Sequence, residues 1–253
     1  MKTIETCGNN IFSLSCIFLF RILLLLQSAH SFLLLPLKHR RDRIRLFRSE
    51  DDHVKISQPI LVTFDLDDTL FPIEPVIQDA NSAMICHLCD ELGFSEITQA
   101  NLTETSTKIR QQLKNKEQMI TYTELRKRAI KMETDKYKAV QSEGLDWKTV
   151  DQIYQIWETE RHVAAERHLF HDTQEMLSSL RLSFQDGGII VGAITNGKGN
   201  PFQMTSIERY FDFCVSGEDA DVFPNRKPSE GIYEAALNRY RNLITSKRKM
   251  TQK

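Results

Sequence analysis

Apolar positions along this chain follow two different periods. Residues 60–64 (ILVTF) form a short continuous run rich in β-branched side chains, which predicts a buried parallel strand. Residues 71–167 instead repeat at helical spacing. The stretch NSAMICHLCDELGF is amphipathic and stops at Gly93. TYTELRKRAIKMETDKYKAV opens on a Thr-x-x-Glu capping pattern and ends before Gly144, and DWKTVDQIYQIWETERHVAAERHL supplies a third helical stretch. From residue 172 the pattern changes again. DTQEMLSSLRLS predicts a helix, residues 189–194 a buried strand that breaks at Thr195-Asn196-Gly197, and a further helix leads to the strand-like run YFDFCV. Lys227-Pro228 then opens a last helix through GIYEAALNRY. Strand and helix alternate on both sides of an all-helical block. This order predicts an α/β fold, a doubly wound parallel sheet of Rossmann-like type with a helical cap inserted after the first strand.

The first fifty residues read as an address. Residues 11–26 are nearly all apolar, interrupted by Arg21, and SAHSF places Ala29 and Ser31 at −3 and −1 of a cut before Phe32. The following LLLPLKHRRDRIRLFRS is basic and poor in acid. The pair resembles the bipartite presequences of algae with complex plastids, so plastid delivery is expected, with a mitochondrial presequence or a membrane anchor as the alternatives. Arg21 weighs against an anchor, because a charge in mid-span is costly. The expected division is a presequence at 1–56, a core at 57–70 and 168–240, a cap at 71–167 and a basic, solvated tail at 241–253. No stable membrane insertion of the mature chain is expected.

Charge sharpens this division. The whole chain carries −1, but residues 1–50 hold eight Lys/Arg against three Asp/Glu, leaving 25 against 31 in the body. A mildly acidic body argues against nucleic acid as a partner. With 41% hydrophobic residues over its whole length, the chain has enough apolar mass for one globular core with an inserted subdomain. Of the five cysteines, Cys7 and Cys16 fall in the presequence. Cys86 and Cys89 lie three apart on a helix and read as two core residues rather than a metal pair. Cys214 reads as an inert strand residue. Trp147, Tyr154 and Trp157 read as helix core rather than a stacking platform, and Arg126, Lys127 and Arg128 as a solvated face rather than a phosphate clamp.

The candidate chemistry sits where the first strand ends. Asp65, Asp67 and Asp68 occupy three of four positions after Phe64. In extended chain, side chains two apart share a face, so Asp65 and Asp67 are directed at one spot. Carboxylates so close repel unless a cation or an electrophile offsets them. An acidic turn capping the next helix accounts for one aspartate but not for this crowding. In open α/β sheets the C-terminal strand ends line the ligand crevice, which gathers Asp65, Asp67, Thr195, Asn196 and Lys227.

Asp-Leu-Asp-Asp-Thr-Leu (65–70), Thr-Asn-Gly (195–197) and Lys227-Pro228 resemble three ordered motifs of the haloacid dehalogenase-like superfamily. The resemblance spans residues 58–240. It implies Asp65 as a nucleophile attacking phosphorus and Asp67 as the acid and base. It further implies Thr195, with the amides of Asn196 and Gly197 and the following helix N-terminus, as phosphoryl donors, Lys227 as a charge stabiliser and Thr69 as a loop-orienting residue. Mg²⁺ would be held by the Asp65 carboxylate and the Asp67 carbonyl. TFDLDDTLFPIEPVI, AITNG, YFDF and KPSEGIYEAAL are similar to the group containing flavin mononucleotide phosphatases. That group also acts on 5-amino-6-(5-phospho-D-ribitylamino)uracil. A small phosphorylated metabolite is therefore the expected substrate, within riboflavin biosynthesis. The family's fourth motif, a Gly-Asp with further acids after another strand, is not found before Lys253. The alternative expectation is thus a catalytically impaired protein that binds a metabolite or partner, with the first strand left at a sheet edge.

Overall fold

The computed structural model describes residues 60–137, 145–184 and 188–251. The presequence, and with it the plastid expectation, lies outside the described residues. The described body begins with strand β1 (Ile60–Phe64) and continues into helix α1 (Ile73–Cys86). Helices α2 (Gln99–Lys114), α3 (Tyr122–Asp135), α4 (Trp147–Arg167) and α5 (Thr173–Ser183) follow. Strand β2 (Ile189–Thr195), strand β3 (Phe213–Ser216) and helix α6 (Glu230–Thr251) complete the order.

The three strands are parallel in the order β1-β2-β3, with Ile60 opposite Ile189 and Gly192 opposite Phe213. All three therefore deliver their C-terminal ends to one edge of the sheet. β2 is buried at every position because helices cover both of its faces. Its side chains alternate at the period of a strand. Ile189, Val191 and Ala193 pack with Leu66, Leu177 and Ala164, while Ile190 and Ile194 pack with Val215 and with Ile232 of α6.

Gly192 leaves room for its register partner. A Cβ at this position would lie 2.2 Å from the Phe213 ring, and Phe213 is itself buried. Gly192→Ala is expected to force that ring out of its place and to cost about 1–3 kcal/mol. Denaturant unfolding checks this, and an unchanged midpoint would refute the account of the sheet's packing.

The cap has an apolar core of its own. Met84, Leu88, Leu102, Ile109, Ile130 and Ile153 belong to it, with α1 packed on α4 and α2 on α3. Sequence-encoded caps start its helices. Thr98 and Asn101 form a capping box at α2, Thr121 accepts from Glu124 N–H at 3.0 Å, and Asp146 accepts from Thr149 N–H at 2.8 Å. α1 and α4 also reach into the sheet's core, through Val76 and through Ala164 and Ala165.

Several expectations need correction. β1 is parallel but not buried: Ile60 is 42% exposed and Thr63 is exposed, because among the described residues β1 pairs only with β2. No helix follows Thr195-Asn196-Gly197. Two short 3₁₀ turns, Pro201–Gln203 and Glu208–Tyr210, occupy that connection, so no helix N-terminus is available there. The segment from residue 241 is not a frayed tail. α6 continues to Thr251, and Leu243 and Ile244 pack against the sheet cluster.

Cys86 and Cys89 are not a core pair. Met84 and Leu88 take the buried stripe, and Cys86 lies two residues from each, on the opposite side of the helix. A π-turn at His87–Glu91 carries Cys89 to a half-buried place. Tyr154 and Trp157 are core, as expected, but Trp147 at the first turn of α4 is 52% exposed. Cys214 stands in β3 with its thiol pushed up to about 12 by burial, consistent with an inert residue.

Candidate active site

The sheet edge assembles the site as its topology demands. Asp65 follows the last residue of β1, Asn196 the last residue of β2, and Gly217 the last residue of β3. Asp65 is exposed; its Oδ1 accepts from Leu66 N–H at 2.8 Å and its Oδ2 lies 2.6 Å from Lys227 Nζ. Lys227 Nζ also donates to Ile194 O at 2.9 Å. Two elements remote in sequence thus place an ammonium directly on the candidate nucleophile. Asn196 builds that position. Its Oδ1 accepts from Lys227 N–H at 2.7 Å and its Nδ2 donates to Lys227 O at 3.2 Å, gripping the lysine's backbone from both sides.

Asp67 turns toward the cap. Its Oδ1 accepts from Arg161 Nη2 at 2.7 Å, and a Cβ at Gly197 would lie 3.7 Å from its Oδ2. The Thr-Asn-Gly loop and both aspartates therefore share one space. Burial is the largest influence on Asp67 and raises its carboxyl above the ordinary range. The Arg161 charge pulls the other way, and Asp65 adds to the rise. Thr195 is fully buried, and its Oγ1 accepts from Gly197 N–H at 3.2 Å. Thr69 contributes its backbone N–H, which donates to Leu66 O at 3.2 Å. Asp68 secures the turn. At φ 58° its own N–H donates to Phe71 O, and its Oδ1 accepts from Ile73 N–H at the start of α1. One of the three aspartates thus satisfies the first N–H of α1, whose N-cap is Pro72, and the remaining two carry the candidate chemistry.

Arg161 escaped the sequence analysis. It is 2% exposed and sits on α4 in line with Ile153, Tyr154, Trp157 and Ala164, spaced three and four residues apart. An arginine on a buried helix stripe is legible as an anomaly, because such a charge needs a partner. Its partner is Asp67, and its Nη1 is buried with no hydrogen-bond partner among the described residues. The next residue, His162, is lodged between Glu158 O and Lys198 O at 2.8 and 3.1 Å, tying α4 to the loop after β2. On the far side, Thr123 of α3 donates to Glu218 through its N–H at 3.1 Å and its hydroxyl at 2.5 Å. Cap and core therefore meet directly around the carboxylates.

The basic set on α3 is not the solvated face expected for it. Only Arg128 fits, paired with Glu124 at 2.7 Å near the surface. Lys127 reaches Asp151 at 2.9 Å and lies over the Tyr154 ring. Arg126 lies flat on Trp157, 3.8 Å from the ring centroid, and donates to Asn81 Oδ1 at 2.9 Å.

The family model for haloacid dehalogenase-like hydrolases matches residues 61–248, and the chain belongs to that family. Among solved structures, a 2-haloacid dehalogenase from Pseudomonas syringae pv. Tomato DC3000 is 24% identical. The match covers 73% of this chain and 74% of that one, with a TM-score of 0.54, so the two share a fold. L-2-haloacid dehalogenase from Xanthobacter autotrophicus is 14% identical over 72% of this chain and 64% of its own, at a TM-score of 0.37. A haloacid dehalogenase-like hydrolase from Bacteroides fragilis is 19% identical over 73% and 74%, at 0.36. No curated protein matches the chain significantly. None of these comparisons points to the flavin mononucleotide phosphatase group that the motifs resemble.

Proposed function

We propose that this hydrolase is a phosphomonoesterase that works through an aspartyl-phosphate at Asp65 and acts on a small phosphorylated metabolite. The observation that carries the reading is the second carboxyl. Asp67 stands two residues from the nucleophile, beside the Gly197 loop, with its pKa raised by burial. A halide leaves as a stable anion and needs no proton, whereas the alkoxide of a phosphate ester does. A second carboxyl next to the nucleophile, able to give up and take back a proton, suits the ester. The likeness to a dehalogenase structure is one of fold and does not choose between these leaving groups.

In the first step an Asp65 oxygen bonds to phosphorus, the ester P–O bond breaks, and the Asp67 proton passes to the departing oxygen. In the second, Asp67 as carboxylate takes a proton from water. The water oxygen attacks phosphorus and the Asp65–phosphorus bond breaks, releasing phosphate. Arg161 occupies Oδ1 of Asp67 and leaves Oδ2 toward the Gly197 loop for the proton's passage. Lys227 spreads positive charge onto the nucleophile and the phosphoryl oxygens around it.

Mg²⁺ fits the donor chemistry here. Among the described residues no three acid, histidine or cysteine side chains gather as a cage, but Mg²⁺ is commonly held by one or two carboxylates, water and substrate phosphate. The exposed Asp65 carboxylate and the Asp67 carbonyl would hold it, and the bound ion would shield the incoming phosphate's charge from the aspartates.

The cap favours a small substrate, because its direct contact with the core at Thr123 and Glu218 narrows the approach. A flavin or pyrimidine ribityl phosphate is the substrate we favour within that class. The test is a panel of aryl, sugar and ribityl phosphates, a phosphopeptide and 2-haloacids, with and without Mg²⁺. Mg²⁺-dependent phosphate release from the small esters is expected. Halide release from the 2-haloacids without phosphate release would overturn the reading.

A further inference from the structure

The cap carries an open cavity that the catalytic residues do not line. It lies between α1, α2 and α3, has a volume of about 260 Å³, and is bordered by Asn81, Thr103, Ser106, Arg110, Tyr122 and Arg126 over an apolar floor. Among the described residues no aspartate or glutamate lines it. We propose that this cavity is a second, separate binding site, which takes a small anion bearing a phosphate or carboxylate group between Arg110 and Arg126.

Four basic neighbours on the same two helices are paired, Lys108 with Glu104, Lys127 with Asp151, Arg128 with Glu124 and Lys131 with Asp135, while Lys114 lies exposed at the end of α2. The two arginines that face the cavity make no ion pair among the described residues. Arg126 has one neutral acceptor, Asn81 Oδ1, which also accepts from Trp157 Nε1 at 2.9 Å. Its guanidinium is otherwise packed on the Trp157 ring. Arg110 leans toward the Tyr122 ring, 5.9 Å from its centroid.

A guanidinium offers five N–H donors in one plane, and stacking on an aromatic face leaves its edge for a ligand. Burial is the largest influence and holds Arg126 down to about 10; Tyr154 and Glu218 pull it up and Arg161 and Arg110 push it down, so it stays charged at neutral pH in a place that costs it hydration. An anion in the cavity would offset that cost, and the hydroxyls of Ser106 and Thr103 stand at the rim as further donors. The volume falls near the lower end of small-molecule pockets, which suits one phosphate or carboxylate with a few attached atoms.

The site is distinct from the catalytic one but joined to it. Trp157 carries Arg126 on its face, and one turn further along α4 Arg161 holds Asp67. The inference does not rest on the phosphatase reading, since none of the residues proposed for turnover lines the cavity.

Calorimetric titration of the full chain with inorganic phosphate and with malonate, at matched ionic strength, tests the proposal. Saturable binding is expected that survives Lys227→Ala. Arg110→Gln and Arg126→Gln should each weaken it about tenfold or more, as loss of a charged hydrogen bond implies, and Arg110→Lys should restore part of it. Tighter phosphate binding would assign a phosphorylated ligand, and tighter malonate binding a carboxylate. Binding that vanishes with Lys227→Ala and ignores Arg110→Gln would overturn the proposal, since phosphate would then occupy the catalytic site alone. Absence of saturable binding of either ion at millimolar concentration would overturn it as well. If melting shows that Arg126→Gln unfolds the cap, the decision rests on Arg110→Gln, because Arg110 is exposed on α2.

Discussion

Asp65→Asn is expected to lower phosphate-ester turnover by about four to six orders of magnitude, the scale on which loss of a covalent nucleophile acts. The substitution keeps the side chain's size and removes its charge. An amide oxygen attacks phosphorus poorly and cannot form the acyl-phosphate. Trapping by beryllium fluoride, which mimics phosphate on an aspartyl oxygen, should disappear with it. The fold should hardly respond. The Asp65 side chain is 44% exposed, and Lys227 keeps its bond to Ile194 O when its partner changes. An exposed ion pair contributes at most about 1 kcal/mol, so melting should shift little. Turnover within tenfold of the parent would sink the assignment of Asp65, and a collapse of the fold would show that the residue's role is structural.

Asp67→Ala should act on both activity and stability, and its stability cost should exceed that of Arg161→Met. Arg161 is buried, and one of its nitrogens has no hydrogen-bond partner among the described residues. Without Asp67 its charge is left alone in the interior, a loss of about 3–5 kcal/mol. The converse loss is smaller, because Asp67 without Arg161 can take up a proton.

This asymmetry has a pH signature. The folded pKa of Asp67 is raised above its ordinary value of 3.8, so the folded chain holds that proton longer than the unfolded chain does. The group's contribution is therefore complete below the unfolded pKa, and stability falls as pH rises from there through the folded pKa. Arg161→Met removes the largest downward pull and carries the fall to higher pH. Urea unfolding across the acid and neutral range would measure it. Equal costs for the two substitutions, or an unchanged pH slope in Arg161→Met, would contradict this account of the pair.

What the sequence determined by itself is local or topological. Runs of β-branched residues gave β1 and β2 their identity, and Thr121 and Glu124 marked the start of α3 through a capping interaction that spans only three residues. Parallel strands must deliver their C-terminal ends to one edge, so Asp65 and Asn196, each directly after a strand, could be assigned to one place from strand order alone. Tertiary structure decided the rest, for reasons that no short-range pattern carries. The apolar run of β1 looks like that of β2, yet β1 is half exposed because burial depends on the number of neighbours a strand has in the sheet. Arg126 and Arg128 are two residues apart in one basic cluster, yet one lies on Trp157 and the other at the surface, because the angle at which α3 docks selects which face is covered. The Asp67–Arg161 pair joins residues 94 positions apart. Each half was visible, an acid after a strand and an arginine on an apolar helix stripe, but an ion pair forms across space, and only the docking of α4 on the sheet edge brings its two charges within reach.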